Sequence, residues 1–491
     1  MIFLFSLIAA FVIIILIVAV RTVLFVRAGQ GKLLSFQSHL PKLERAPLQV
    51  AQNLSAAIQI ETISHQDEAQ NGYENFRALH ALLEQTYPRL HAALSKETLL
   101  DYSLLFTWAG KKPELEPVVF MAHQDVVPVD EHTLGQWTQP PFSGRIADGF
   151  VWGRGSLDIK CQLIAVMEAV ECLLAQGFQP DRTVLLSFSH DEEVLGNGAP
   201  AIVDHLKAKG VRVRAVLDEG NPILEGMLPG FKGLTAPIGV SEKGYLSLRL
   251  HVEADGGHSS TPAPETAIGI LARAIDRLQS NPFPSQVRAV EPMFKGLSPA
   301  APLMLQVAFA NLWLFGGLVR RKLVRSTETA AAIHTTTAPT LFHGGVKDNI
   351  LPAFAEAVVN FRLLTGDGVE EVLDHVRSLI NDDRVKIEPL QGYAWNASPS
   401  SPADVAVFHH ITSVVKELYP EAVCAPGTML GGTDARHYHQ ISDCVYRFTP
   451  VLVHKDDIHS IHGVNERILV EGLHRMVDFF YRLMQRWTSA E

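Results

Sequence analysis

The chain has 491 residues, a net charge of -10 and 19% charged residues, which is more than one compact domain requires and too apolar for a disordered chain. The acidic balance, with no Lys/Arg-rich block, excludes a nucleic-acid partner, whose phosphates demand a basic face. The four cysteines (Cys161, Cys172, Cys424, Cys444) lack the density and spacing of a disulfide framework or a Cys-rich zinc site, so they read as small buried side chains and any metal falls to His and carboxylates.

Ile2 to Val20 carries no charge and matches the roughly 20 residues needed to cross a hydrocarbon core. It reads as an uncleaved anchor, residues 2–26. A signal peptide would be shorter, follow a basic residue and end in small residues. Arg21, Arg27 and Lys32 follow the run, and the positive-inside tendency keeps that flank cytoplasmic. A short tether comes next, so deletion up to about Arg27 is expected to leave a soluble, active remainder.

Beyond the tether the pattern is α/β. Predicted strands Val118 to Ala122, Thr183 to Ser189 and Val213 to Leu217 end just before His123, Asp191 and Asp218, where an open parallel sheet binds ligands. A helix spans Ile159 to Gln176 and stops at Gly177. From Tyr245 the order becomes strand (246–253), helix (265–279), two strands (337–345 and 354–363), helix (369–380) and strand (385–390), a β-α-β-β-α-β module. Ser398 to Pro402 marks the return to the first domain, which ends in a helix over 469–487. The predicted domains are therefore 45–244 and 396–491 for a main α/β unit, mostly parallel and flanked by helices, with 245–395 an inserted α+β lid.

Within the lid, Asn281 to Thr336 is an extra segment containing the apolar run Ala301 to Val319. The run is expected to be a buried helix that packs on the lid sheet or builds a dimer contact. Its rival reading is an acyl-chain channel or a membrane-dipping element built on Leu303, Met304, Val307, Leu312, Trp313, Leu314, Phe315 and Leu318.

His123 and Asp125 stand two apart at a strand end, so the carboxylate can fix the imidazole tautomer of a metal ligand. On its own such a histidine is more often a core or surface residue. Asp158, in Gly153 to Lys160, reads as an N-cap or a ligand. Asp191, Glu192 and Glu193 crowd three carboxylates together, which is costly unless cations or protons neutralise them. They are either a charged loop or a pair of roles, one acid on metal and one free as a base. Asp218 closes another strand, and His459 to Arg467 adds late histidines. Imidazole and carboxylate groups recurring at successive strand ends suit a dinuclear hydrolytic site.

With these motifs, Ser241 to Gly244, Gly257 to Ser260 and Ile461 to Glu466, the chain resembles metallopeptidase family 20 from about Leu48 to the C-terminus. That family includes aminoacylase, carboxypeptidase S and carnosinase-like dipeptidases, and within it the chain resembles the N-fatty-acyl-amino-acid synthase/hydrolase branch. The resemblance implies two zinc ions, with cobalt or manganese as alternatives. His123, Asp158 and Asp218 would bind one metal, and Asp158, Glu193 and His462 the other. Glu192 would be the general base, Asp125 the orienter of His123, and His258 the oxyanion donor, reaching across a homodimer built through the lid. Asn349, Arg362, Thr433 and Arg436 would contact substrate, an Arg fork suiting a carboxylate. His190, His437, His439, His454 and His459 match no ligand position and are expected to be solvated or to lie behind the ligands.

The expected activity is hydrolysis, and in reverse formation, of the amide bond of N-acyl amino acids or short peptides with a free carboxylate. A Gly-Xaa carboxypeptidase or dipeptidase is the enzymatic alternative. A silent membrane-anchored binding module is the other, and the presence of Glu192 and Asp158 weighs against it.

Overall fold

The computed structural model describes residues 2–38, 40–228 and 230–490. Its first element, α1 (Ile2–Gly29), is long and apolar enough to cross a membrane. The stretch after α1 is not a free tether. Leu34 N–H donates to Ser413 Oγ at 2.9 Å, Ser38 Oγ donates to Gln485 at 2.5 Å, and the Arg486 guanidinium covers the Phe36 ring at 5.4 Å. Its backbone and side-chain polar groups find partners on the large domain, which a tether would leave to water.

The main sheet is built first from β1 (Ser95–Leu99), β2 (Ser103–Trp108), β3 (Val118–His123), β4 (Val184–Ser189) and β5 (Ala215–Asp218), with α2 (Lys160–Ala175) crossing between β3 and β4. It continues with β6 (Ile223–Glu225) and β7 (Leu234–Glu242). After the lid, β8 to β11 below, the chain adds β12 (Val423–Met429), β13 (Val445–Arg447) and β14 (Leu452–Val453). The strand order is β1-β2-β4-β3-β5-β13-β7-β6-β14, with β12 also on β7; β4, β3, β5 and β13 run parallel. Side chains alternate across this sheet. Phe120, Leu186 and Leu217 face α2 and the C-terminal helix Val470–Thr488, while Val119, Leu185 and Val216 pack against Ile202 and Tyr438 on the other side. Both faces are covered, as parallel strands require.

The lid carries β8 (Gly244–Glu253), β9 (Thr336–Gly344), β10 (Phe354–Leu363) and β11 (Val385–Trp395), antiparallel in the order β9-β10-β8-β11. Alternate residues Ala355, Ala357, Val359, Phe361 and Leu363 of β10 are buried beneath two helices, α3 (Ala267–Ser280) and one over Val369–Ile380. The helices present Ile270, Leu271, Ala274 and Leu278, and Val372, Leu373, Val376 and Ile380, at the spacings of one helical face. Thr266 caps the first by accepting from Gly269 N–H. The two connections to the main domain touch: Glu242 N–H donates to Ser398 Oγ at 2.9 Å, and Ser398 N–H to the Glu242 carbonyl at 3.0 Å. Gly244 is required there, because a Cβ would lie 2.6 Å from Ala397 N and 2.7 Å from the Trp395 carbonyl.

The extra segment of the lid forms α4 (Glu291–Leu297), α5 (Leu303–Ala310), α6 (Leu312–Leu323) and α7 (Thr327–Ala331). The expected single buried helix over 301–319 is instead two helices bent by 114° at Asn311, and only Ala301, Phe309, Ala310 and Val319 among its apolar residues are buried. Leu303, Met304, Trp313, Leu314 and Leu318 are exposed. Helices α4 to α6 pack on α1 through Phe25 and on β12 through Ala425, while Phe283, ahead of α4, meets Phe361 of the lid sheet edge-on at 6.1 Å. Buried Lys243, its amine lowered to about 8 by burial, pins the end of the segment by donating to the Ala331 and His334 carbonyls at 2.9 and 2.8 Å.

Candidate active site

Parallel strands β4, β3 and β5 stop side by side, His123 in register with Ser189, and their ends deliver most of the acidic and imidazole groups. His123 is buried. Its Nδ1 faces Asp125, 3.0 Å from the backbone oxygen and 3.2 Å from Oδ1, while Nε2 lies 3.1 Å from Asp158 Oδ1 and 3.4 Å from Glu219 Oε1. The Asp125 carboxylate is fully buried and accepts from Ser64 Oγ at 2.5 Å and from the N–H groups of Glu192 and Glu193 at 3.2 and 3.1 Å. Burial raises it, but the bonds from His123, Ser64 and Glu193 hold it below the usual carboxylate range. One anion thus orients both the imidazole and the turn that carries the two glutamates.

Asp158 stands between two histidines, Oδ1 toward His123 and Oδ2 3.1 Å from His462 Nε2. Burial raises its carboxyl, yet hydrogen bonds from both imidazoles hold it well below the ordinary value. Its position is set from behind by Glu466, which accepts the N–H groups of Leu157 and Asp158 at 2.8 and 3.1 Å and pairs with buried Arg154 at 2.6 Å. Arg154 in turn donates to the Gly463 carbonyl, tying down the loop that carries His462. His462 itself adopts φ 59°, the left-handed region that non-glycine residues enter chiefly where the surroundings impose it. Its Nε2 is 3.1 Å from Glu193 Oε2.

Beside the expected ligand Asp218, it is Glu219, not singled out from the sequence, whose carboxylate turns to His123. Asp218 Oδ2 accepts from Ala435 N–H at 2.9 Å and Oδ1 from Glu219 N–H at 2.8 Å, so its oxygens hold backbone. The side chain one residue on, reaching the other way, approaches His123. The ligand atoms of His123, Glu192 and Glu219 all lie within 4.8 Å of one another, as do those of His123, Asp158 and Glu193. Burial, with repulsion from Asp158, pushes Glu193 and Glu219 up to about 7. Burial also lifts Glu192 well above the carboxylate range, Glu219 and Asp434 adding and His123 opposing. Glu193 Oε1 is buried without a hydrogen-bond partner. Crowded carboxylates, two imidazoles and an orphaned oxygen form a donor set that fits divalent cations of the zinc type.

The expected substrate residues divide. Arg362 and Arg436 converge, since a Cβ on Gly432 would lie 3.9 Å from a guanidinium nitrogen of each. They flank an aromatic stack: Arg362 sits 4.4 Å over Tyr245, Tyr245 stacks on Trp395 at 4.8 Å, and Arg436 sits 4.9 Å over Trp395. Burial lowers Arg362, offset in part by Tyr245, Glu242 and Glu192. Thr433 is fully buried and its hydroxyl donates to Glu242 at 2.8 Å, beside the buried Glu242–Arg447 pair at 2.7 Å. It shapes the loop and its hydroxyl is not free for substrate. His258 and Asn349 lie together on the exposed lid edge, Ser259 N–H donating to the Asn349 carbonyl, and among the described residues neither bonds to the His123 cluster.

Of the remaining histidines, His454 and His459 are exposed, whereas His190 is buried with its Nδ1 2.7 Å from Ser103 Oγ. His437 and His439 are half-buried, and each has a buried Nε2 without a partner among the described residues.

The sequence profile described as Peptidase family M20/M25/M40 matches residues 119–486. The chain is 38% identical over 445 residues to a probable carboxypeptidase S-like 2 of Dictyostelium discoideum, covering 89% of this chain and 85% of that one. It is likewise 38% identical over 448 residues to an N-fatty-acyl-amino acid synthase/hydrolase of Xenopus tropicalis, covering 90% and 86%. Among solved structures, an M20 family metallo-carboxypeptidase of Sulfolobus solfataricus shares the fold with TM-score 0.67 at 17% identity, over 91% of this chain and all of that one. The chain belongs to peptidase family M20 and is a metal-dependent peptidase or amidohydrolase.

Proposed function

We propose that the chain is a dinuclear amidohydrolase that cleaves, and under mass action forms, the amide bond between a fatty acyl group and an amino acid with a free carboxylate. The observation that carries this reading is Glu192, buried beside the His123, Asp158, Glu193, Glu219 and His462 donor set. His123, Asp158 and Glu219 would hold one cation, and Asp158, Glu193 and His462 the other, Glu219 taking the place expected of Asp218. Bound there, the cations supply an acidified water and a polarised carbonyl.

The chain's own residues do the rest. Glu192, its proton affinity raised by burial, takes a proton from the attacking water and returns it to the leaving amine nitrogen, a role typically worth a factor of about 10²–10⁴. Asp125 keeps Nε2 of His123 directed at the cluster by engaging Nδ1. Arg362 holds the α-carboxylate in a planar fork. His258, exposed on the lid edge and bonded to Ser260, supplies its donor from a second copy across a lid homodimer. The similarity to the Xenopus synthase/hydrolase supports a fatty acyl substrate, and α1 supports a membrane location.

The carboxypeptidase S-like relative, equally similar, favours a second reading in which short peptides are cleaved. Purified zinc-loaded protein assayed on N-oleoyl-phenylalanine, acetylated amino acids and Gly-Leu separates the two. Preference for the oleoyl substrate is expected; efficient turnover of Gly-Leu alone would overturn the first reading, and inactivity on all three would overturn both.

A further inference from the structure

A cavity of about 260 Å³ lies where the extra lid segment meets the main domain, walled by Met227, Leu228, Val290, Met293, Leu323 and Ile333. Its lining is mostly apolar, and such a space is closed to polar ligands, which would lose their hydrogen bonds to water. Its inner wall is built from the segments that carry the active site. Asn221 follows Glu219 by two residues, Leu364 follows Arg362 by two, and Leu430 precedes Thr433 by three.

Its outer wall leads to the membrane helix. Val290, Met293, Leu323 and Ile333 belong to one apolar cluster with Phe309 of α5 and Val319 of α6, and Phe25 of α1 packs against it. On their far side α5 and α6 turn apolar residues to solvent, Leu303 69%, Met304 84%, Trp313 52% and Leu318 57% exposed. Large apolar side chains exposed together on neighbouring helices mark a membrane or partner surface. Its depth is fixed by the bend. Asn311 donates to the Val18 carbonyl at 3.4 Å and Thr22 Oγ1 at 3.2 Å, the point where the charge-free run Ile2 to Val20 ends and a bilayer interface would lie. Arg21, Arg27, Arg320, Arg321 and Lys322 stand on the same two elements, suited to lipid headgroups.

We propose that the cavity takes the hydrocarbon chain of the acyl group, and that α5 and α6 rest in the bilayer interface so that the chain passes from lipid to the active site without crossing water. This rests on the fatty-acyl reading above and adds to it a binding site and a route. The chain length preference is then set by residues of α4 and α6, outside the metal centre.

The test uses the full chain in phosphatidylcholine nanodiscs with a palmitic acid carrying a mid-chain diazirine. Photolabel is expected in the peptide Ala289–Lys295 and near Leu228, displaced by N-oleoyl-phenylalanine and not by added phosphatidylcholine. Label only on the exposed faces of α5 and α6, or displacement by phosphatidylcholine, would overturn the cavity assignment in favour of simple membrane contact or a structural lipid. In parallel, Val290→Trp and Met293→Trp are expected to lower kcat/KM for the oleoyl substrate on the order of tenfold, the effect of displacing about two methylenes, with acetyl turnover kept. An equal fall for both substrates, with the labelling pattern absent, would overturn it as well. Wild-type inactivity toward oleoyl and acetyl substrates alike would defeat the functional reading, and the labelling result would still decide whether the cavity binds acyl chains.

Discussion

Asn311, at the bend between α5 and α6, donates its side-chain amide to Thr22 Oγ1 of α1 at 3.2 Å, and both residues are buried. The N-terminal helix is therefore part of the packed structure down to at least Val18, and the deletion up to about Arg27 expected to be harmless removes half of a buried polar contact. It also uncovers the apolar cluster that Phe25 covers. Leaving a buried donor unsatisfied costs about 1–3 kcal/mol. A chain starting at residue 28 should show a melting temperature several degrees lower and a tendency to aggregate, whereas one starting at residue 17, which keeps Val18, Thr22 and Phe25, should not. Equal melting temperatures for the two would show that α1 is a detachable anchor.

Glu192→Gln keeps the shape of the side chain and removes its capacity to carry a proton. Turnover should fall by about 10²–10⁴ with zinc content unchanged, as measured by metal analysis beside steady-state kinetics. Loss of metal in step with activity would make Glu192 a ligand, a role its place in one of the two donor triads makes worth testing.

Glu219 and Asp218 can be told apart by metal content. Glu219→Gln should lose one zinc equivalent and most activity, because its carboxylate is the one beside His123. Asp218→Asn should keep both metals and lose stability, since its oxygens hold the Ala435 and Glu219 N–H groups. The reverse pattern would restore Asp218 as the ligand.

These two acids also show where the sequence stops being readable. The strand ending at Asp218 and the helix Val369–Ile380 follow from apolar periodicity, and the acids at the end of that strand follow from the rule for parallel sheets. Which of two successive carboxylates faces the cleft depends on backbone direction at a strand end, and no periodicity encodes that. The same holds for Glu466, whose bonds to the N–H groups of Leu157 and Asp158 span over 300 residues of sequence. In the extra segment, Ala301 to Val319 was legible as apolar but not as bent, because the break rests on Asn311 meeting an element far away in the chain.

His437 and His439 should make the fold sensitive to acid. Burial, with Arg436 beside the first and Arg447 beside the second, lowers both imidazoles to about 4. The unfolded chain takes up these protons near the ordinary value of about 6.5, while the folded chain refuses them until about 4. Their contribution to stability is thus complete above 6.5 and is lost as the pH falls toward 4. Melting temperature followed from pH 7.5 to 4.5 should decline less steeply in His437→Asn/His439→Asn than in the natural chain. Parallel declines would mean that the two rings are protonated in the folded state.

Arg362 supplies the last prediction, because it is the lid residue whose stacking joins the lid to Arg436 of the main domain. Its guanidinium is held flat on Tyr245, which stacks on Trp395, which in turn carries Arg436 from the main domain. Stacking leaves the edge of the guanidinium, where the N–H groups lie, free to grip a planar carboxylate, and it limits the rotamers lost on binding. Arg362→Ala should therefore raise KM for substrates with a free α-carboxylate by one to two orders of magnitude, about what a charge-assisted hydrogen bond of 1.5–3 kcal/mol provides. The matching amides and esters, which offer no anion, should change little. Arg362→Lys, which keeps charge and loses the fork, should fall between. A uniform fall in kcat for acids and amides alike would assign Arg362 to holding the lid in place, and a Tyr245→Leu variant with the same uniform fall would locate that role in the aromatic stack.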